Sequence, residues 1–279
     1  MSWESFKVEN TITVTEFYTL YNQHYNGDYN FLGEMHDFWE CLYVVEGSVC
    51  VSADERIHNL STGDIIFHKP MELHKFYVTD KNGADLLVFS FNMVGTLCEI
   101  MQNRVAHLDH YQHSIIERVL ECVQQNLLGI AEQDTNKFLN LFSKIKDDQP
   151  SIKEFALLIE QLILSLSQSD NNLKSPKTAE SLLFKKAVSF MRDELKSSLS
   201  VSELAFHLNI STSGLKRLFS KYAGMSVHKY FLSLKMKSAT ALLQSGMTVS
   251  EVADELGFSS QGYFSAVYKR ETGKNPSQI

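Results

Sequence analysis

Residues 10–93 alternate between short apolar segments and turn residues at the spacing of β-strands. The segments 11–21 and 38–45 are rich in β-branched and aromatic side chains, and glycines mark a turn at Gly47 and another at Gly63. The remaining apolar segments cover residues 48–52, 57–60, 65–68, 75–79 and 85–93. Several short strands separated by glycine, aspartate and asparagine turns predict a double-sheet barrel or jelly roll.

Two later stretches carry apolar residues at helical spacing. The first set is Ile116, Val119, Leu120, Val123 and Leu127, and the second is Phe155, Leu158, Ile159, Leu162, Ile163 and Leu166. Pro150 stands where the second helix would begin, a position at which proline is favoured. The second set suits either packing on the barrel or joining two chains. The polar stretch 167–178 that follows predicts a linker.

Residues 201–211 and 249–259 form an internal repeat with an offset of 48 positions, in which valine, serine, glutamate, alanine, leucine and serine match. Each copy predicts a short helix, a tight turn and a second helix. Asn209 and Gly257 stand at the two turns, and both residue types tolerate the left-handed backbone of such a turn. This arrangement is a helix-turn-helix, whose second helix enters the major groove of DNA by its N-terminal residues.

A serine follows each turn and would cap the second helix: Ser211 in the first copy, and Ser259 or Ser260 in the second. Between the copies, residues 226–244 predict one amphipathic helix of roughly 30 Å, near the roughly 34 Å between successive major-groove faces on one side of DNA. Such a spacer would present both second helices to adjacent turns of a duplex. Its polar face, which suits either phosphates or solvent, carries Lys229, Lys235 and Lys237.

The composition supports two domains of ordinary size, because 44% of the 279 residues are hydrophobic and only 21% are charged, which excludes an intrinsically disordered chain. No apolar run approaches the roughly 20 residues of a membrane-spanning helix, and the acidic start lacks the apolar segment of a secretory signal. The scattered cysteines suit reduced thiols: Cys41, Cys50, Cys98 and Cys122. These features predict a cytoplasmic protein.

The net charge of −7 divides unevenly along the chain. Residues 1–179 hold 13 Lys+Arg against 25 Asp+Glu, whereas residues 180–279 hold 13 Lys+Arg against 8 Asp+Glu. The basic second part favours contact with a polyanion there, although charge also varies between domains by chance. The helix-turn-helix pattern in the same segment makes DNA the expected polyanion.

Residues 184–279 resemble the DNA-binding domain of the AraC/XylS family of bacterial transcription regulators. The resemblance rests on Leu204-Ala205, Ser211, 215–219, Gly224, Ala239, Leu242-Leu243, Val252-Ala253, Gly257-Phe258, Phe264-Ser265, Lys269 and 273–276. It implies an α+β chain with an N-terminal cupin-like barrel and following helices over 1–170, a linker over 171–180, and an all-α domain over 181–279. The two helix-turn-helix units would cover about 200–223 and 248–271. Family members usually continue with Tyr-Arg after the position of Ile279.

The family reads base edges from the first half of each second helix. By position, the resemblance implies base contacts from Ser213, Lys216, Arg217, Gln261, Gly262, Tyr263, Ser265 and Ala266, and phosphate contacts from Ser211, Lys221, Ser260, Lys269 and Arg270. Arg217 can form two bonds to guanine, whereas Ala266 stands at the matching position, where the family usually carries arginine. We therefore expect the first unit to supply most of the base discrimination and the second to position the domain on the DNA backbone.

The front of the chain resembles the two motifs of a cupin barrel, the effector-binding half of many AraC-type regulators. The motif residues are Gly33, His36, Glu40, Gly47, Gly63-Asp64, Pro70 and His74. Metal-dependent cupins hold two histidines and a glutamate in the first motif and a histidine in the second; here Glu34 stands at the first histidine position. Regulators of this fold usually bind a small molecule without metal, so His36, Glu40 and His74 are the predicted effector contacts.

Two other interpretations of these polar residues remain open. With Glu34 they would form a mixed nitrogen and oxygen site for a divalent metal, or they would satisfy one another at the barrel mouth. Strand alternation places His36, Phe38, Glu40 and Leu42 on one face, while His68 shares its parity with Ile66 and is a weaker candidate. A sugar is the effector class that the family suggests first.

These features predict a homodimeric transcription regulator that binds promoter DNA under the control of a small-molecule effector. The family resemblance assigns dimerisation to one of the two middle helices and implies contact with RNA polymerase for an activator. No enzymatic activity and no cofactor are expected. Two alternatives are a metal-dependent cupin enzyme with a DNA-binding tail, and a ligand-independent regulator controlled by a protein partner.

Overall fold

The N-terminal half of the chain is built from antiparallel strands in the computed structural model, which describes residues 3–127, 142, 147–173 and 178–279. The strands are β1 (Thr13–Tyr25), β2 (Trp39–Ala53), β3 (Arg56–Ser61), β4 (Asp64–His68), β5 (His74–Val78), β6 (Ala84–Val94) and β7 (Val105–His107). Strands β1, β6, β2, β4 and β7 lie side by side in that order, and β3 and β5 pair with the second half of β2. This is the predicted double-sheet barrel.

Strand β2 runs without interruption, whereas the sequence predicts two segments with a turn at Gly47. Residues 39–47 pair with β6, and residues 48–53 pair with β3 and β5, so β2 crosses from one sheet into the other. A register shift between Val44 and Glu46 and the left-handed backbone of Gly47 (φ 85°) bend the strand there. The predicted turn is wrong, because a glycine between apolar segments also marks a bulge within one strand.

Helices cover the outer face of the larger sheet: α1 (Leu97–Met101), α2 (His110–Leu127) and α3 (Gln149–Ser167). Asp148 caps α3 by accepting the backbone N–H of Ser151, and Pro150 lies in the first turn. The apolar set that the sequence singles out on α3 is buried within the chain: Phe155, Leu158, Ile159, Leu162, Ile163 and Leu166. This set packs on the barrel, so a dimer through α3 requires another face of the helix. The side chain of Leu127 lies outside the described part.

The C-terminal helical unit, residues 178–279, contains α4 (Ala179–Asp193), α5 (Val201–His207), α6 (Thr212–Ala223), α7 (Val227–Gln244), α8 (Val249–Glu255) and α9 (Gln261–Thr272). Both predicted helix-turn-helix units are present. Asn209 (φ 55°) and Gly257 (φ 67°) form the two turns. Ser211 and Ser260 cap α6 and α9, each accepting the backbone N–H three residues further on.

Helix α7 joins the two units as the predicted spacer, but its lysines are not all on a free polar face. Lys235 is buried and its Nζ donates to the carbonyl oxygens of Ser197 (3.0 Å) and Leu256 (2.8 Å). Lys237 donates to Asp54 of the barrel at 2.7 Å. The expectation of phosphate or solvent contact is therefore wrong for Lys235 and Lys237, because charge alone does not show whether a lysine is free or binds another element, through carbonyl oxygens for Lys235 and a carboxylate for Lys237.

The segment after α3 is held to the barrel before it reaches the C-terminal helical unit. Arg104 donates to the carbonyl oxygen of Ser169 and to the side chain of Asn171, and Leu173 bonds Val105 of β7 through its backbone. Residues 174–177 of the predicted linker lie outside the described residues. No helix within the described ranges is long and apolar enough to cross a membrane.

Candidate effector cavity and nucleic-acid interface

A cavity of about 240 Å³ lies inside the barrel between its two sheets. One part of its wall is aromatic: Tyr21, Tyr25, Tyr29, Phe31 and Phe76. Another part is polar and contains Glu34, Glu40, His68 and His74. Strand alternation predicts the inward direction of Glu40 and Leu42 correctly, since Trp39 and Tyr43 belong to the core on the other face of the sheet.

Four side chains converge at the polar part, and we call Glu34, His36, Glu40 and His74 the polar cluster. Their potential ligand atoms all lie within 4.8 Å of one another. Nε2 of His74 lies 3.2 Å from Oε1 of Glu40 and 3.6 Å from Oε1 of Glu34, and Nε2 of His36 lies 3.6 Å from Oε2 of Glu40. The structure thus brings together the three predicted effector contacts and the Glu34 of the metal alternative.

Both imidazole rings of the polar cluster are oriented by their Nδ1 atoms. Nδ1 of His36 donates to the carbonyl oxygen of Phe38, and Nδ1 of His74 donates to that of Glu72, each at 3.0 Å. The two Nε2 atoms are buried and form no hydrogen bond of good geometry with any described residue, although carboxylate oxygens lie nearby. Nε2 of His74 is therefore available to a ligand in the cavity, whereas His36 does not line this cavity and instead lines a second pocket with Met35 and Asp37.

Burial and mutual charge set the ionisation of the cluster. Burial raises the pKa of Glu40, but the imidazoles of His36 and His74 beside the carboxylate outweigh this effect and hold the pKa below its usual range. Burial lowers the pKa of His74, and the carboxylates of Glu34 and Glu40 overcome it, so that the pKa rises to about 10. Without a bound ligand, the cluster therefore holds a charged Glu40 beside a protonated His74.

A second polar layer lies behind the cluster; its member His68, which the sequence makes only a weaker candidate, lines the cavity, whereas nothing in the sequence singles out Glu72 or Arg56. The ring of His68 stacks on that of His74 with centroids 4.3 Å apart, and Nδ1 of His68 lies 3.0 Å from Oε2 of Glu72. Glu72 is fully buried and also accepts a bond from Arg56. The signal that could have revealed His68 is strand register, because it pairs directly with Glu40 in the adjacent strand.

The C-terminal helical unit packs on the outside of the smaller sheet. Cys50, Ile57 and Leu73 of the barrel share one buried apolar cluster with residues of α4, α6 and α7. Along β5, His74 and Phe76 line the cavity, whereas Tyr77 packs against this outer cluster. One strand therefore contacts the cavity with one face and the helical unit with the other.

Hydrogen bonds join the barrel to the C-terminal end of α6. Nζ of Lys75 donates to the carbonyl oxygen of Ser220 at 2.9 Å, and Oγ of Ser52 donates to that of Tyr222. Gly224, the left-handed residue that ends α6 (φ 66°), lies so close to the carbonyl of Leu32 that a β-carbon would overlap its oxygen. These contacts fix the end of α6 against the barrel.

Three ion pairs extend this contact to other helices. The guanidinium of Arg192 in α4 forms two bonds with the Glu55 carboxylate, at 3.1 and 2.7 Å. The second pair is between Lys237 of α7 and Asp54, described above, and the third joins Lys274, after α9, to Asp37 at 2.7 Å. Both helix-turn-helix units are thus connected to the barrel.

The predicted base contacts of the first unit lie on the free side of α6. Ser213, Lys216 and Arg217 are all exposed near the N-terminus of the helix, while Leu215, Leu218 and Phe219 of the same helix are buried. Lys221, a predicted phosphate contact, pairs with Glu180 of α4. The hydrophobic face of α6 therefore packs inward and leaves its basic face open.

The predicted contacts of the second unit are arranged in the same way on α9. Gln261, Gly262, Tyr263 and Ala266 are exposed and Ser265 is half-buried, while Phe264, Val267 and Tyr268 form its inner face. Lys269 and Arg270 are exposed in the last turn, where Arg270 bonds Glu271. The first unit thus offers two basic side chains near its helix N-terminus, and the second offers a glutamine and a tyrosine.

Two family models match this chain. Residues 19–185 match the model described as "AraC-like ligand binding domain", and residues 204–279 match the one described as "Helix-turn-helix domain". The first match covers the barrel with its helices, and the second covers both helix-turn-helix units.

Similar proteins include two bacterial regulators. The "Uncharacterized HTH-type transcriptional regulator YfiF" of Bacillus subtilis is 27% identical over 273 residues, covering 93% of this chain and 82% of that protein. The "Msm operon regulatory protein" of Streptococcus mutans is 25% identical over 254 residues, covering 90% of this chain and 87% of that protein. Among solved structures, ToxT from Vibrio cholerae O395 matches over 97% of both chains at 14% identity, with a TM-score of 0.36.

Proposed function

The chain belongs to the AraC-type family of DNA-binding transcription regulators, and from that premise we propose that a small molecule in the barrel cavity controls how its two helix-turn-helix units engage DNA. The observation that carries the proposal is the position of β5 between the cavity and the C-terminal helical unit. His74 faces the cavity, and the next residue, Lys75, bonds the Ser220 carbonyl at the end of α6.

In the proposed DNA complex, α6 reads bases through Ser213, Lys216 and Arg217. Their exposure and the position of Arg217, which can bond guanine through two N–H groups, support this assignment. Helix α9 contributes weaker readout through Gln261, Gly262, Tyr263, Ser265 and Ala266. The backbone phosphates are bound by Ser211, Lys221, Ser260, Lys269 and Arg270.

The effector is a polar organic molecule of modest size, and a sugar fits the wall of the cavity. The aromatic rings of Tyr21 and Tyr25 supply an apolar surface, and burial raises the pKa of both hydroxyls, so they stay protonated. His36, Glu40 and His74 contact the effector hydroxyl groups from the polar cluster. A cavity of mixed aromatic and polar lining suits such a ligand.

The effector acts by changing the equilibrium between arrangements of the helical unit on the barrel. A ligand that draws His74 inward displaces β5 and with it the Lys75–Ser220 and Ser52–Tyr222 contacts. Because those contacts hold α6, the helix takes a different position for DNA binding when the barrel contains the effector than when it does not. The ion pairs of Asp37 and Asp54 transmit the same change to α9 and α7.

The regulator acts as a homodimer through the outer face of α3. The inner apolar set of α3 is covered by the barrel, but Leu157 and Leu164 are exposed on the outside of the helix, seven residues apart. Tyr111 of α2 is also exposed nearby, and its hydroxyl accepts a hydrogen bond from Gln161 of α3. A Leu157→Glu and Leu164→Glu double variant should sediment as a monomer. The Leu182→Glu variant, which places a charge on an exposed leucine of α4, should leave the association state unchanged.

We propose an effector and dimerisation domain over 1–170, a linker over 171–180 and a DNA-binding domain over 181–279; of this linker, residues 179–180 already form the first turn of α4. The protein acts in the bacterial cytoplasm without catalysis and, as an activator, contacts RNA polymerase. Its curated relatives are transcription regulators, which supports a regulatory rather than an enzymatic role.

The proposed DNA recognition is tested by titrating the full chain against the duplex upstream of its own coding sequence and against a shuffled duplex of equal composition, over a salt series. We expect selective binding with a steep salt dependence, because several Lys and Arg side chains replace counterions. Equal affinity for both duplexes at every salt concentration would contradict sequence-specific regulation.

A further inference from the structure

We propose that residues 3–10, which we call the arm, cross to a second copy of this chain and cover the outer face of its helix α3. The inference deepens the proposed function, since it rests on the homodimer through α3 and names the segment that completes this interface. The contact is reciprocal, because a two-fold dimer places each arm on the α3 of the other chain.

The arm carries apolar side chains that its own chain does not cover. It lies outside the helices and strands, and Trp3, Phe6 and Val8 are 93%, 83% and 98% exposed. These are three of the four most exposed large apolar side chains among the described residues, and Phe206 is the fourth. Exposed apolar side chains concentrated in one short segment mark a surface that contacts another molecule.

Hydrogen bonds fix the point at which the arm leaves the barrel. The carbonyl oxygen of Thr11 accepts the backbone N–H of Leu97, the first residue of α1, at 3.2 Å. The backbone N–H of Val14 donates to Oε1 of Glu160 in α3 at 2.9 Å. The arm therefore starts beside α3, and its direction from that point is not fixed by a strand or a helix.

Glu160 lies between the two exposed leucines of α3. Leu157 precedes it by three positions and Leu164 follows it by four, and residues at these spacings are neighbours on one side of a helix. The two leucines are separated by about 10.5 Å along the helix axis. In the polyproline II conformation, which needs no partner strand, three residues span about 9 Å and bring Trp3 and Phe6 to the same side of the arm. One arm therefore matches both leucines.

The area that a stable dimer needs favours a second copy over the arm's own α3. A stable interface buries about 800 Å² on each partner, and the two leucines with Tyr111 provide only part of this area. A buried aromatic side chain contributes about 150–250 Å², so Trp3 and Phe6 of each chain together add about 300–500 Å². An arm folded on its own α3 would instead cover the leucines and remove them from the dimer interface.

The contribution of the arm to association is tested by sedimentation of the full chain over a concentration series. We expect the Trp3→Glu and Phe6→Glu double variant to raise the dissociation constant of the dimer about tenfold or more, because charges replace the apolar contacts. The matched control is Phe206→Glu, which changes a phenylalanine of similar exposure on α5 and should associate as the wild type does. An unchanged dissociation constant in the arm variant would overturn the inference.

A photo-reactive side chain in place of Phe6 distinguishes a second copy from the arm's own helix. Full chains with benzoylphenylalanine at this position are prepared with heavy and with light isotopes, mixed at low concentration, concentrated and irradiated. We expect cross-links between the arm and α3 peptides that join heavy to light chains. Cross-links confined to chains of one isotope, or directed to another part of the protein, would overturn the inference.

Trp3 reports docking of the arm directly, because Trp39, the other tryptophan of the chain, is buried. Acrylamide quenching of tryptophan fluorescence should decrease as the wild type dimerises, and should stay high at every concentration in the Leu157→Glu and Leu164→Glu double variant. Quenching that stays high while the wild type forms dimers contradicts only this inference. A wild type that remains monomeric at every concentration contradicts the proposed homodimer as well.

Discussion

Nζ of Lys75 lies 2.9 Å from the carbonyl oxygen of Ser220, so a residue next to the cavity binds the end of the helix that we assign to base reading. Lys75 is only 2% exposed, and burial lowers the pKa of its ammonium group. A buried charge of this kind is retained only with a partner, and here the partner is a backbone carbonyl of the other unit. The contact is therefore a connection between the two halves of the chain.

The Lys75→Met variant should lower the free energy of unfolding by about 2 kcal/mol, because the Ser220 carbonyl loses a charged donor. Hydrogen exchange at residues 220–224 should accelerate at the same time. Lys81→Met, at an exposed turn lysine, is the control and should change neither quantity. Unchanged exchange at 220–224 in Lys75→Met would show that the bond does not hold α6.

Gly224 and Gly273 form a matched pair for testing the contact between the barrel and α6. Both are left-handed residues that end the second helix of a unit, with φ of 66° and 76°. A β-carbon at Gly273 meets no atom of the described residues within 4 Å, so Gly273→Ala should cost about 1 kcal/mol, the penalty of alanine in a left-handed backbone. Gly224→Ala should cost more, because its β-carbon meets the Leu32 carbonyl. Equal losses in urea unfolding would contradict this close approach.

Buried His58 should make the barrel sensitive to mild acid. Burial, with the charges of Arg56 and His68, lowers the pKa of His58 from 6.5 to about 4, although Glu72 opposes this shift. Between these pH values the unfolded chain takes up a proton that the folded chain excludes, so stability falls as the pH falls. The titration of His58 lowers the free energy of unfolding by about 2 kcal/mol between pH 6.5 and about pH 5. His58→Gln should show a smaller loss over this range in urea unfolding, and an identical loss would contradict the assignment.

Substitution of Lys235 should affect stability and not DNA binding, whereas substitution of Lys269 should affect DNA binding and not stability. Lys235→Met should reduce thermal stability, since the carbonyls of Ser197 and Leu256 lose their donor, and should leave the salt dependence of DNA binding unchanged. Lys269→Ala should leave stability unchanged, weaken binding to all sequences and reduce the salt slope by about 1. A reduced salt slope in Lys235→Met would mean that this lysine reaches DNA after all.

Local rules predict the helix-turn-helix units well because their signals are short in range. Asn209 and Gly257 adopt the left-handed turn, and Ser211 caps its helix, since each of these roles depends only on neighbouring backbone atoms. The inward direction of Glu40 also follows from strand alternation. The two turns, the helix cap, the direction of Glu40 and the members of the polar cluster could therefore be predicted from the sequence alone.

Contacts between distant segments could not be predicted in the same way. The stacking of His68 on His74 depends on how β4 and β5 meet, and parity along one strand does not contain that information. The same limit applies to Lys237, whose partner Asp54 lies 183 positions away. Glycine is ambiguous as well, because Gly47 bends a continuous strand where a turn was expected.

Base reading by α6 is tested by measuring the affinity of Arg217→Ala for the upstream duplex and for duplexes altered at single base pairs. We expect a loss of about 1–3 kcal/mol on the native duplex and relaxed preference at one base pair. The phosphate-contact control Arg270→Ala should weaken binding to every duplex alike and lower the salt slope. If Arg217→Ala instead weakens binding equally on every duplex, Arg217 contacts the DNA backbone and the claim is contradicted.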